Sequence, residues 1–136
     1  MVDASVALKW VLKEGGTDEA MALWDRWQEA GERVLAPPIF RSEVTNALHQ
    51  MVRRGHLGPY DATDLLESLL AVVAVEEPPF LYRRSLGLAA EFGLGSTYDA
   101  LYLALAESEG CEMWTADLRL CRAVDDRFSL LRCLGL

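Results

Sequence analysis

Gly95-Ser96-Thr97-Tyr98-Asp99-Ala100-Leu101-Tyr102-Leu103-Ala104-Leu105-Ala106-Glu107 is the stretch that the rest of the chain is arranged around. Apolar residues fill nearly every position from Ala100 to Ala106, so the pattern predicts a helix that is buried almost all round. Its first turn nevertheless carries a carboxylate, Asp99. Ser96 is a suitable N-cap, and Asp99, three residues on, stands where a side-chain acceptor reaches back to the helix start. Asp99 is therefore either a cap partner or a functional acid, and the helix alone leaves both open.

Around this helix the chain has 136 residues, 51% of them hydrophobic. That is enough for a sizeable core, and one domain over 1–136 is expected. With 21 acidic against 13 basic residues the net charge is -8. Such a balance excludes a general basic surface that grips nucleic acid by counterion release. It leaves room for an enzyme whose carboxylates surround divalent cations. No apolar run is longer than Leu69 to Val75, which is too short to span a bilayer. Asp3 and Lys9 interrupt any leader-like N-terminus. Three cysteines, Cys111, Cys121 and Cys133, form no CxxC pair, and an odd number leaves at least one free. They are expected as small core thiols in a reducing cytoplasm. His49 and His56 lack zinc-ligand spacing and are expected at the surface.

In chain order, Met1 to Val6 predicts a short strand ending at Asp3, followed at once by a helical turn through Val11. Thr17-Asp18 caps an amphipathic helix to about Ala30, with Met21, Trp24 and Trp27 on one face. Arg33 to Ala36 is a strand closed by Pro37-Pro38, and Ile39 to about Arg54 a helix. Pro59 opens another helix, which runs to about Leu70. Val72 to Val75 is a strand and Phe80 to Phe92 a helix ended by Gly93. The central helix breaks at Gly110. Then come a strand (Cys111 to Thr115), a helix (Ala116 to Val124) and a last strand (Ser129 to about Arg132). Strands alternating with helices imply a parallel α/β sheet covered on both faces.

On this map four acids occupy one kind of position. Asp3 ends the first strand, Glu43 and Asp99 lie in the first turns of helices, and Asp117 follows the strand that ends at Thr115. In an open α/β sheet, strand C-termini and helix N-termini meet along one edge, where ligands bind. Clustered carboxylates repel unless a cation or proton compensates. All-oxygen ligation selects hard cations, Mg²⁺ or Mn²⁺. Two such ions about 4 Å apart would activate water and stabilise the leaving oxygen of a phosphodiester. No plausible Ser-His-Asp or Cys-His set exists, and no glycine-rich phosphate loop.

Four stretches together resemble the PIN domains. They are Val2-Asp3-Ala4-Ser5-Val6, Arg41-Ser42-Glu43-Val44-Thr45-Asn46-Ala47-Leu48, Thr97-Tyr98-Asp99-Ala100-Leu101-Tyr102, and Thr115-Ala116-Asp117-Leu118-Arg119-Leu120. Each is short, but the four run in order across the whole chain. The subgroup most resembled is the VapC toxins of toxin–antitoxin pairs. The resemblance implies a three-layer fold with a central parallel sheet and a Mg²⁺-dependent endoribonuclease. It also implies a homodimer and a cognate VapB-like antitoxin packing near the site. Asp3 and Asp99 correspond to the principal metal ligands, Glu43 and Asp117 complete the acidic site directly or through water, and Ser5 and Thr115 are hydroxyls beside it. The first strand starts abruptly, with two residues before Asp3, which puts the N-terminal amine near its end.

Arg53-Arg54, Arg83-Arg84 and Arg119/Arg122 are candidate phosphate contacts, Arg119 foremost because it follows Asp117 by two residues. Trp10, Trp24 and Trp27 suit either a partner groove or the core. Two alternatives stand beside the toxin reading: a catalytically silent PIN-like binding module, and a PIN nuclease of RNA processing.

Overall fold

Met1 to Asp3 runs extended through the middle of the sheet. The Val2 amide donates to the Leu35 carbonyl at 3.2 Å, Asp3 to Trp114 at 3.2 Å, and Trp114 to Met1 at 2.9 Å. Regular pairing stops after a single parallel bridge, Val2 with Trp114. The extended segment therefore ends at Asp3, as expected, but pairs more sparsely than a full strand. The reason is local: the Asp3 side chain accepts the Val6 amide, so a helix, α1 (Ala4–Ala7), starts directly on Asp3.

The structure is a computed structural model that describes residues 1–135; the last residue of the expected 1–136 domain lies outside them. After α1 and a 3₁₀ turn, Leu8–Trp10, come α2 (Thr17–Glu29), β1 (Val34–Ala36), α3 (Ile39–Arg53), α4 (Pro59–Val72) and β2 (Val73–Val75). Then follow α5 (Leu81–Phe92), α6 (Tyr98–Glu109), β3 (Met113–Thr115), α7 (Leu118–Val124) and β4 (Leu131–Cys133). β1 pairs in parallel with β2, Val34 opposite Val73. β3 pairs in parallel with β4, Met113 opposite Leu131. The Met1–Asp3 segment stitches the two ladders, giving the order β2, β1, N-terminal segment, β3, β4. This is the expected parallel sheet with helices on its faces.

The strands are shorter than their β-branched and apolar runs suggest, because pairing and not propensity sets their ends. Cys111 is not in β3. Its amide closes the end of α6 on the Ala106 carbonyl, after Gly110 has turned into the left-handed region at φ 61°. Gly93 ends α5 the same way at φ 65°. At α2, Gly16 takes the N-cap position without a side-chain cap bond. The Thr17 hydroxyl instead donates to the Leu12 and Glu14 carbonyls, a correction to the expected Thr17-Asp18 cap.

α6 is the centre of the core. Ala100 to Ala106 are all buried, seven consecutive residues, and they belong to one continuous cluster with Val2, Val6, Phe40, Val44, Leu88 and Met113. Truncating a leucine in such a place costs about 3 kcal/mol, so α6 is held rigidly.

The cysteines depart from expectation. Cys121 on α7 and Cys133 on β4 form a disulfide across 12 residues of sequence, with Cα atoms 6.3 Å apart; Cys111 alone is free. Residue spacing carries no sign of this pair, because it depends on α7 folding back along β4. Closing so short a loop restricts the unfolded chain. Reduction, or Cys121→Ser with Cys133→Ser, is expected to lower unfolding free energy by about 2 kcal/mol, read from urea titrations of the oxidised and reduced protein.

Candidate functional site

Asp3 sits where the N-terminal segment meets β3, and is only 7% exposed. Its Oδ1 accepts the Ser5 hydroxyl at 2.6 Å and the Val6 amide at 3.1 Å. Its Oδ2 accepts the Thr115 hydroxyl. Those hydroxyls are themselves held: Ser5 Oγ accepts the Ala116 amide at 2.8 Å and Thr115 Oγ1 the Asp117 amide at 3.0 Å. An ionised carboxylate offers about four lone-pair sites. Three are used here, and one remains on Oδ2.

Glu43 lies one turn into α3 and is half-buried, its Oε1 accepting the Tyr102 hydroxyl at 2.7 Å. Asp99, in the first turn of α6, is half-buried as well. No hydrogen bond influences its carboxyl. The N-cap of α6 is Thr97, which makes no side-chain cap bond. Ser96, expected to cap, is exposed and does not, and Asp99 is not a cap partner. The capping acids are Asp3 on α1 and Asp117 on α7. Asp117 accepts the Arg119 amide and guanidinium, both at 2.8 Å. Asp99 and Asp117 line one shallow cleft of about 310 Å³ with Gly95, Ser96, Arg119 and Leu120.

The electrostatics tie these acids into one group. Burial, and after it the Asp99 charge, push the Asp3 carboxyl up against the pull of its three donors. Burial also raises Glu43, with Asp3 and Asp99 adding to it and the Tyr102 hydroxyl opposing. Burial and then Asp117 raise Asp99, while Arg119 opposes. Asp117 goes the other way, held below the usual carboxylate range chiefly by its bonds from the Arg119 side chain. Burial and the neighbouring Glu43 push the Tyr102 phenol far above its ordinary value, so its hydroxyl remains a donor. Four acids from four distant segments thus gather at one end of the sheet, three of them short of compensating positive charge.

A hard divalent cation fits this donor set. Every candidate ligand atom is a carboxylate oxygen, and Asp99, Glu43 Oε2 and Asp3 Oδ2 retain lone pairs. Among the described residues no three acids, histidines or cysteines already stand in ligating positions. Asp117, one of the four, is turned onto Arg119, which offsets its repulsion by Asp99.

The model of the PIN domain family matches residues 1–126. The chain belongs to the PIN domain family. It is 33% identical over 121 residues to VapC ribonuclease Mb0985 of Mycobacterium bovis, spanning 88% of this chain and 87% of that protein. Ribonuclease VapC9 of Mycobacterium tuberculosis gives the same figures, 33% over 121 residues with 88% and 87% covered. Ribonuclease VapC3 of Pyrobaculum aerophilum is 31% identical over 123 residues, covering 88% of this chain and 90% of the relative. The crystal structure of PAE2754 from Pyrobaculum aerophilum superposes with a TM-score of 0.68 at 28% identity, over 90% of this chain and 82% of that one.

In this PIN domain the other singled-out residues make no hydrogen bond or ion pair with the four acids. His49, His56, Arg53, Arg54, Arg83 and Arg122 are exposed. Arg84 is paired with Glu107 through Nε at 2.5 Å and Nη2 at 2.8 Å. Trp27 is buried, whereas Trp10 and Trp24 pack with ring centroids 4.9 Å apart and planes tilted by 52° and line a groove of about 190 Å³ with Met21 and Val72. The N-terminal amine is bonded to the Glu112 carbonyl at 2.9 Å and not to the acids. No helix among the described residues is long and apolar enough to cross a membrane. Sequence reasoning missed Tyr102. The signal was present: a lone hydroxyl in an all-apolar buried run requires a partner, and its spacing of three from Asp99 puts both on one helix face.

Proposed function

We propose that this PIN domain is a Mg²⁺-dependent endoribonuclease, with Mn²⁺ able to substitute, and the toxin of a pair neutralised by a VapB-like antitoxin. The supporting observation is the gathering of Asp3, Glu43, Asp99 and Asp117 at one sheet end, with the first three raised by burial and by one another. The relatives are ribonucleases of the VapC group, which points to RNA as the substrate. A single domain over 1–136, a homodimer and a cytoplasmic setting belong to the same reading.

Asp3 and Asp99 would hold the cation, with Glu43 and Asp117 completing the set directly or through water. When bound, the ion supplies positive charge at the phosphate oxygens and lowers the pKa of water nearby. The protein's own contribution is orientation. Ser5, Thr115 and the Val6 amide fix the Asp3 carboxylate in one rotamer, and rigid α6 fixes the backbone of Asp99. Arg119, with its side chain 90% exposed beside Asp117, is placed to meet a phosphate at the rim. Arg119→Ala is expected to raise the KM for RNA several-fold and to flatten the salt dependence of binding by about one unit of slope, measured by cleavage kinetics from low to moderate salt.

The deciding experiment incubates purified protein with RNA and Mg²⁺, Mn²⁺ or chelator, comparing wild type with Asp99→Asn, and maps the cut sites. No cleavage by the wild type with either ion, together with wild-type behaviour of Asp99→Asn in cells, overturns the reading.

A further inference from the structure

Tyr102 is 1% exposed, in the middle of the run from Ala100 to Ala106 that packs on all sides. Its ring fills core volume that a phenylalanine would fill equally well, so packing alone gives the hydroxyl no task. Buried hydroxyls are costly without a partner, and this one has a specific partner 59 residues away. It donates at 2.7 Å to Glu43 Oε1, and the Ala4 amide, next to Asp3, approaches the Tyr102 hydroxyl oxygen itself. One atom on α6 thereby touches α3 and the start of α1, the elements that carry Glu43 and Asp3.

We propose that Tyr102 is a positioning residue: its hydroxyl pins one oxygen of Glu43 and leaves Oε2 as the oxygen presented to a cation held with Asp3 and Asp99. This rests on the metal-dependent ribonuclease reading above. Glutamate has three side-chain torsions, and Glu43 is repelled by both Asp3 and Asp99. Untethered, its carboxylate swings outward to water and away from the other acids. The tether comes from the helix that carries Asp99, three residues earlier and on the same face, so α6 sets the spacing of two acids at once. Partners that orient a ligating carboxylate typically change metal affinity about 10–100-fold when removed.

The test measures Mn²⁺ binding to the metal-free protein by electron paramagnetic resonance titration, alongside its melting temperature. Tyr102→Phe is expected to weaken Mn²⁺ binding about tenfold with the melting temperature within a few degrees of wild type. In a Glu43→Ala background, Tyr102→Phe is expected to make no further difference. Unchanged affinity in Tyr102→Phe overturns the proposal. So does the same loss in the Glu43→Ala background, which would assign the effect to packing, and so does a collapse of the fold. If the wild type binds no Mn²⁺, the ribonuclease reading falls with it. If Asp99→Asn abolishes binding and Tyr102→Phe does not alter it, only this inference falls.

Discussion

Asp99→Asn is expected to lose RNA cleavage by about a thousandfold or more, while the metal-free protein melts at the wild-type temperature or slightly above it. Several kcal/mol of transition-state stabilisation rest on a divalent cation in this chemistry, and each 1.4 kcal/mol is about tenfold in rate. Asparagine keeps the shape of the side chain and removes the anion the cation requires. The fold loses only an attraction to the exposed Arg119, because Asp99 accepts no hydrogen bond, and it gains relief from a half-buried charge and from Asp117. A melting temperature several degrees below wild type would return Asp99 to a structural role. Asp3→Ala is the less clean variant. It strips the partner from the Ser5 and Thr115 hydroxyls and the Val6 amide and removes the cap of α1. It should cost about 1–3 kcal/mol of stability along with activity.

The second large effect is a coupling of stability, pH and metal. Asp3, Glu43 and Asp99 all have carboxyls raised by burial first and by neighbouring acids after it. An acid whose folded value is raised binds its proton more tightly in the folded state. Stability therefore falls as pH rises from the ordinary carboxylate range, about 4, through the raised values. Asp117 and Glu107, held low by Arg119 and Arg84 respectively, contribute the opposite way: their stabilisation is present above the ordinary range and is lost as pH falls through their folded values. The metal-free protein should accordingly be more stable in mild acid than at neutral pH. Mg²⁺ should reverse that order, because a cation stabilises the ionised acids, adding about 3 kcal/mol at a hundredfold excess over its dissociation constant. Urea titrations at pH 5 and pH 7, with chelator and with Mg²⁺, read both. A metal-free profile that is flat, or that rises toward neutrality, would contradict the electrostatic picture of the site.

The alternation of strands and helices was legible because punctuation is local. Pro37-Pro38, Gly58-Pro59, Gly93 and Gly110 each mark an end through the backbone of one or two residues, and the structure places boundaries within a residue or two of most of them. Strand lengths were not legible. Cys111 to Thr115 reads as one strand, yet β3 starts only at Met113, because the Cys111 amide is spent on closing α6. The capping question, put to Asp99, belonged to Asp3 and Asp117. Ser96 and Asp99 have cap spacing, but α6 begins on Thr97 without a side-chain bond.

The sequence by itself determined which side chains are available and which stretches must be buried: four acids at element ends, one helix too apolar to face water, and an order of elements that makes a parallel sheet. Those are properties of single residues and of short-range periodicity. Only the tertiary structure decided what each acid meets. Asp3 is clamped by hydroxyls from α1 and β3, Asp117 is drawn onto Arg119, and Glu43 is tied to Tyr102 across 59 residues. Cys121 and Cys133 are joined, and Asp99 alone is left without a partner among the described residues. Hydrogen bonds and carboxylate repulsion act over a few ångströms of space, and distance along the chain does not encode which groups come that close.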